Sequence, residues 1–211
     1  MFKRNILISF ILLFISIIFI ILLKTVDVRC NSINNSCIGL YTINHYFFNK
    51  IGVNIFFYNI TDYLGIIPIL LSFIYAFIGV KQLIKRKVNR EIIILGAFYV
   101  LVLLVYILFE KCIINYRPIL IDGVLEASFP SSHTLISICF FGSSIIINNR
   151  LFKNKFTKTV NLISLFIIII TIIGRLISGV HWFTDIIGGI LISSFLLMLF
   201  YSILNLNKKI D

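Results

Sequence analysis

Six apolar runs, each close to the length needed to cross a bilayer, constrain this chain more than any other feature. A helix crosses the hydrocarbon core with about twenty apolar residues. Runs of that order occupy residues 6–23, 63–80, 92–109, 133–147, 159–173 and 186–206; the fourth is short enough to predict a recessed or tilted helix. Between them there is no polar stretch long enough for a soluble domain. Hydrophobic residues make up 60% of the chain and charged residues 13%, where a soluble domain has about half and about a quarter. The expectation is an all-α, polytopic membrane protein, a six-transmembrane-helix bundle forming one domain over residues 1–211. The opening MFKRNILISFILLFISIIFIILLK begins with basic residues as a signal peptide does. Its apolar core is too long, and no small-residue cleavage site follows, so it reads as the first span.

Lysine and arginine assign the sides. Lys3 and Arg4, Lys81, Lys85, Arg86, Lys87 and Arg90, Arg150, Lys153, Lys155 and Lys158, and Lys208 and Lys209 cluster at one set of span ends, thirteen of nineteen basic residues. Lys24, Arg29, Lys50, Lys111, Arg117 and Arg175 occupy the other set. The positive-inside rule places both termini in the cytoplasm and turns the loops at 24–62, 110–133 and 174–185 outward. The net charge of +11 is thereby explained as loop charge flanking spans, and no nucleic-acid binding is expected. Cys30 and Cys37 share the first outer loop; they form a disulfide if it faces an oxidising side, or remain free thiols. The rest of that loop, IGLYTINHYFFNKIGVNIFFYNITDYLG, mixes aromatics with Asn and His. It is expected to lie at the interface, partly helical, as a cover on the bundle or as a lipid entrance.

The remaining outer segments carry polar groups that are costly beside lipid and therefore need a partner or a task. EKCIINYRP holds Lys111 and Arg117, ASFPSSHT holds Ser131, Ser132 and His133, and GRLISGVHWFTD holds Arg175, His181 and Asp185. The positive-inside topology gathers all three on one face. Arginine's planar fork suits phosphate oxygens. The Pro-Ser-Ser-His run reads as a helix start with a serine cap, whose first amides and positive dipole end favour an anion. With the last helix starting near Val180, His181 and Asp185 lie four apart on one helical face. The carboxylate would then hold one imidazole tautomer, leaving His181 to attack phosphorus and form a phosphohistidine. His133 would protonate the leaving alkoxide and later activate water, while the cations stabilise charge on the equatorial oxygens. No metal or cofactor is called for, and no carboxylate cluster is present to hold a metal. Taken singly, each residue has a plainer structural role: Lys111 as a snorkelling anchor, His45 as a packed histidine, Glu110, Asp122 and Glu126 as outer-loop counter-ions. The combination on one side is what points to chemistry.

These three segments resemble the signatures of the type 2 phosphatidic acid phosphatase family of membrane phosphatases: Lys-x6-Arg-Pro, Pro-Ser-Gly-His and Ser-Arg-x5-His-x3-Asp. GRLISGVHWFTD keeps the spacing of Arg175, His181 and Asp185, and PSSH occupies residues 130 to 133. The resemblance covers the last half of the chain. It implies a six-span fold with His181 as nucleophile, Asp185 as its partner and His133 as acid, and with Lys111, Arg117, Ser131, Ser132 and Arg175 around the phosphate. Three positions depart from the pattern. Gly174 stands in place of a serine, Ser132 in place of a glycine, and five residues rather than six separate Lys111 from Arg117, with Glu110 at the expected lysine position. One residue is about 100° of helical rotation.

The reading is a metal-independent membrane lipid phosphatase working at the outer face, with a lipid phosphate and the bilayer as its partners. By family analogy the substrate is undecaprenyl diphosphate, with phosphatidylglycerophosphate or phosphatidic acid as alternatives. A lipid phosphotransferase using the same phosphohistidine and a non-catalytic lipid binder are the rival readings.

Overall fold

The computed structural model describes residues 2–31, 36–121, 123–152 and 154–206; Asp122, Lys153, Lys208 and Lys209 lie outside the described residues. The chain runs α1 (Phe2–Thr25), a two-stranded antiparallel hairpin of β1 (Arg29–Asn31) and β2 (Ser36–Ile38), α2 (Tyr41–Ile51), α3 (Ile55–Leu64), α4 (Ile66–Ile84), α5 (Arg90–Lys111), α6 (Ser132–Leu151), α7 (Lys155–Ser178) and α8 (Phe183–Leu204). Among the described residues six helical segments are long and apolar enough to cross a membrane, with α3 and α4 together forming the second. The helical, six-span expectation holds. The second span begins earlier than its apolar run, because α3 leads directly through Gly65 into α4. Residues 55–62 therefore belong to a span-length helical pair rather than to an interfacial loop.

Helix α6 is the centre of the bundle, packed against both α7 and α8, while α1 lies along α8 and α3 along α7. Phe98 against Phe200 (4.6 Å between centroids) and Tyr99 stacked on Phe140 (4.1 Å) anchor α5 to this centre. Large side chains such as Phe10, Phe14, Phe73, Phe77 and Phe166 remain exposed on α1, α4 and α7, as a lipid-facing surface requires. The central position explains why α6 is the least apolar span, with buried Ser137, Ser143, Ser144 and Asn148. Buried polar groups in a bilayer need internal partners, and Tyr75 of α4 supplies one for two of these, meeting Ser144 Oγ at 2.7 Å and Asn148 Oδ1 at 2.8 Å. The apolar run that ends at residue 147 thus understates the helix, which continues to Leu151.

The segment before α3 covers the end of α8 where the site lies. Asn44 of α2 is fully buried. Its Nδ2 donates to Gly39 O and to Thr184 Oγ1, both at 2.9 Å, and its Oδ1 accepts the Thr184 amide at 3.1 Å. Phe47 stacks on Phe183 at 4.2 Å and Phe48 meets Trp182 at 5.6 Å. These contacts make α2 a cover. Loss of the Asn44 amide would leave first-turn groups of α8 unpaired, at a cost of about 1–3 kcal/mol. Cys30 and Cys37 are joined in a disulfide across the hairpin.

Candidate active site

Helix α7 ends at Gly179, whose φ of 67° is the left-handed conformation that glycine adopts without a Cβ clash. The chain then turns through Val180 and His181, with Trp182 extended as the N-cap of α8. His181 therefore precedes the helix. The expected shared helical face with Asp185 is replaced by a tighter arrangement, in which Asp185, third residue of α8, folds back on the turn. Its Oδ2 accepts the Trp182 amide at 2.8 Å, offsetting an amide that a helix start leaves unpaired. The Ser131 amide donates to Asp185 O at 3.0 Å, which ties the start of α6 to the start of α8.

Three groups surround the imidazole of His181. Nδ1 is 3.1 Å from Ser128 O and 3.2 Å from Ser128 Oγ. A carbonyl only accepts, so Nδ1 carries the proton and Nε2 presents its lone pair. The hydroxyl of Ser128 donates in turn to Asp185 Oδ2, whose second oxygen faces Asn115 Nδ2 at 3.5 Å. Direct contact between His181 Nδ1 and Asp185 Oδ2 is longer, at 3.8 Å. His181 Nε2 is buried without a protein partner. Burial first, and then the charges of Arg117 and Arg175, hold this imidazole well below the ordinary histidine range, so it is neutral near pH 7. A neutral, tautomer-fixed ring with a free Nε2 has the lone pair that nucleophilic attack requires.

Cations and donors converge around it. Arg117 Nη1 meets Val180 O at 3.5 Å, its Nε faces Glu126 Oε2 at 3.1 Å, and its amide donates to Glu126 O at 3.1 Å. Arg175 is 1% exposed. Its Nη2 binds Asp62 Oδ1 at 3.1 Å, its Cζ lies 5.3 Å from the centre of the Tyr58 ring, and its Nε and Nη1 have no partner. His133 in the first turn of α6 places Nε2 3.3 Å from the same Asp62 oxygen, with Nδ1 buried and unpartnered. Ser132 lies on the cavity wall. Ser131 is buried, and its hydroxyl accepts from Thr134 Oγ1 at 3.1 Å instead of capping a backbone amide. The serine cap expected there is absent.

Lys111 is not part of this cluster. It is exposed at the last position of α5, and Glu110, one residue earlier, lines the cavity with Arg117 and His181. The helical rotation of one residue separates the two positions. Ser128, Asn115 and Asp62 join the site without being among the expected residues. Ser128 lies two residues before Pro130 and Asn115 within EKCIINYRP, so proximity to the motifs was the one signal available for them; Asp62 had none.

A narrow cavity lined by Tyr106, Glu110, Arg117, Ser128, Ser132 and His181 adjoins a second of about 200 Å³ lined by Pro68, Ile69, Tyr106, Ser132, His133 and Ile136. Tyr106 and Ser132 belong to both. One end is polar and cationic, the other largely apolar. Among the described residues no group of three or more His, Cys, Asp or Glu side chains gathers to hold a metal.

The PAP2 superfamily model matches residues 69–209. Among curated proteins none matches the chain. A solved structure, the crystal structure of the first transmembrane PAP2 type phosphatidylglycerolphosphate phosphatase from Bacillus subtilis, superposes with a TM-score of 0.68 at 18% identity, covering 96% of this chain and 98% of that one.

Proposed function

The chain belongs to the PAP2 superfamily, and on that premise we propose that it hydrolyses a lipid phosphate or diphosphate through a phosphohistidine on His181. The observation that carries this is that Nε2 of His181 and Nε and Nη1 of the buried Arg175 all lack a partner. Buried donors without acceptors are costly, and a phosphate supplies acceptors to all of them. In the first step Nε2 bonds to phosphorus, the bond from phosphorus to the lipid-side oxygen breaks, and His133 delivers a proton to that oxygen. Arg117 and Arg175, with the first-turn amides of α6 at Ser132 and His133, stabilise the charge on the equatorial oxygens. In the second step His133 takes a proton from water, the water oxygen bonds to phosphorus, the bond from phosphorus to Nε2 breaks, and inorganic phosphate leaves. The apolar cavity beside His133 suits the proximal part of a lipid chain.

The site is proposed to face outward with both termini in the cytoplasm. The basic residues at the opposite span ends and the Cys30–Cys37 disulfide support this, since disulfides persist on oxidising sides. Such a site suits undecaprenyl diphosphate, a carrier that presents its phosphates at the outer face, as substrate. The fold likeness to a phosphatidylglycerolphosphate phosphatase favours phosphatidylglycerophosphate as the second reading. Phosphate release from these two lipids and phosphatidic acid, by purified protein in detergent with a chelator, tests both. Release that persists with chelator and is lost in His181→Ala is the expected result. Release abolished by the chelator, or undiminished in His181→Ala, refutes the histidine mechanism.

A further inference from the structure

We propose that Asp62 is a carboxylate latch on the anion site, its Oδ1 holding the place of a phosphate oxygen between Arg175 and His133 until a phosphate displaces it; this rests on the phosphatase reading above. One oxygen stands 3.1 Å from Arg175 Nη2 and 3.3 Å from His133 Nε2. Donors from two different helices meeting on a single oxygen are what a phosphate oxygen would find there. The two partners of the ion pair differ in freedom. The Arg175 side chain is 1% exposed and that of Asp62 is 56% exposed, so the cation is fixed and the carboxylate has room to swing aside. A buried guanidinium without a counter-ion is strongly unfavourable, and Asp62 supplies one whenever phosphate does not.

The neighbouring residues build this contact. A Cβ at Gly174 would stand 2.5 Å from Thr61 Cγ2, and one at Gly65 would stand 2.8 Å from His133 Cδ2 and 2.9 Å from its Nε2. Helix α3 therefore closes on α7, and the α3–α4 joint on His133, only because both positions lack side chains. Tyr58, one turn before Asp62, sets its ring against the Arg175 guanidinium. Three residues of one helix turn thus face Arg175 and the glycine before it. A serine at position 174, as in the family pattern, would collide with Thr61.

The latch gives the site a criterion for substrates. A terminal phosphate carries up to two negative charges and three free oxygens, and so outcompetes a carboxylate for Arg175 and His133. A phosphodiester head group, with one charge and two free oxygens, does not, and the surrounding membrane is full of such head groups. If the latch is closed about nine-tenths of the time, apparent phosphate affinity is weakened about tenfold.

Titration calorimetry of inorganic phosphate, alongside inhibition of lipid hydrolysis by phosphatidylglycerol in mixed micelles, tests this with Asp62→Asn, Asp62→Ser and Asp62→Glu. The neutral variants are expected to bind inorganic phosphate about tenfold more tightly and to become sensitive to the diester, while Asp62→Glu keeps the weaker binding and the resistance. Wild-type protein that hydrolyses lipid phosphate, with neutral variants binding inorganic phosphate no more tightly, overturns the latch alone. Wild-type protein that neither hydrolyses nor binds phosphate overturns the phosphatase reading and the latch with it.

Discussion

His181 Nδ1 and Asp185 Oδ2 stand 3.8 Å apart, beyond hydrogen-bond length, and Ser128 closes the gap between them. The orientation of the imidazole is therefore relayed through a hydroxyl and fixed by a backbone carbonyl, with the carboxylate one step removed. Removing the hydroxyl leaves the carbonyl in place but frees the ring to tilt. Small misplacements of a reacting group cost up to about 10²-fold in rate. Ser128→Ala is expected to lower kcat toward that limit with little change in KM, and Ser128→Thr to restore most of it. Steady-state phosphate release on each variant measures the split.

In the proposed mechanism His133 serves both steps, and the two steps are expected to respond differently to its loss. Hydrolysis of a lipid monophosphate, whose alkoxide leaving group needs a proton, is expected to fall by about 10²- to 10⁴-fold in His133→Gln. A diphosphate substrate leaves as a stable phosphate and needs less help in the first step. With it, His133→Gln is expected to accumulate a phosphoenzyme stable to base and labile to acid, and His181→Ala to form none. Rapid quench with labelled substrate reads this directly.

The cations divide by burial. Arg175→Ala removes a buried donor set with two unpartnered nitrogens, and under the proposed mechanism a loss of about 10²- to 10³-fold in kcat/KM is expected. Arg117→Ala is expected to follow in the same direction. Lys111 is exposed and off the cavity wall, so Lys111→Ala is expected to stay within about threefold, as exposed charges generally do. Parallel kinetics on the three variants check the ranking; a Lys111→Ala loss as large as that of Arg175→Ala would place the lysine in the site.

Stability should follow the protonation of His181. Its folded-state pKa is depressed below the ordinary value of 6.5, so below that pH the unfolded chain binds a proton that the folded protein refuses. Stability is thus present above about pH 6.5 and lost as pH falls below it, by up to about 1.4 kcal/mol per pH unit from this group. Thermal unfolding in detergent at pH 7.5 and 5.5 is expected to show the drop, and a His181→Phe variant to show less of it.

Cysteine labelling addresses orientation. Cys112 is exposed just after α5, Cys139 is buried, and Cys30 and Cys37 are paired. A membrane-impermeant maleimide applied to intact cells is expected to modify Cys112 alone, and Cys30 and Cys37 only after reduction. Labelling of Cys112 solely after the cells are opened would reverse the proposed sidedness.

Much of this protein was legible in the linear sequence, since the decisive signals there are local. A bilayer demands about twenty apolar residues per helix, which marks the six spans without knowledge of any contact. The grouping of Arg175, His181 and Asp185 is a matter of spacing within one short segment. Tertiary structure decided the rest. Ser128 meets Asp185 across 57 residues, Asn115 meets it across 70, and Asp62 reaches Arg175 across 113; no periodicity links such positions. The start of α8 at Phe183 rather than at Val180 depends on Asp185 and on Asn44 of α2 satisfying its first amides. The exchange of Lys111 for Glu110 on the cavity wall follows from the rotation of α5 as the bundle packs it. Spans follow from the solvent, which acts on each segment alone, whereas the pairing of a buried polar group depends on what the packed helices bring beside it.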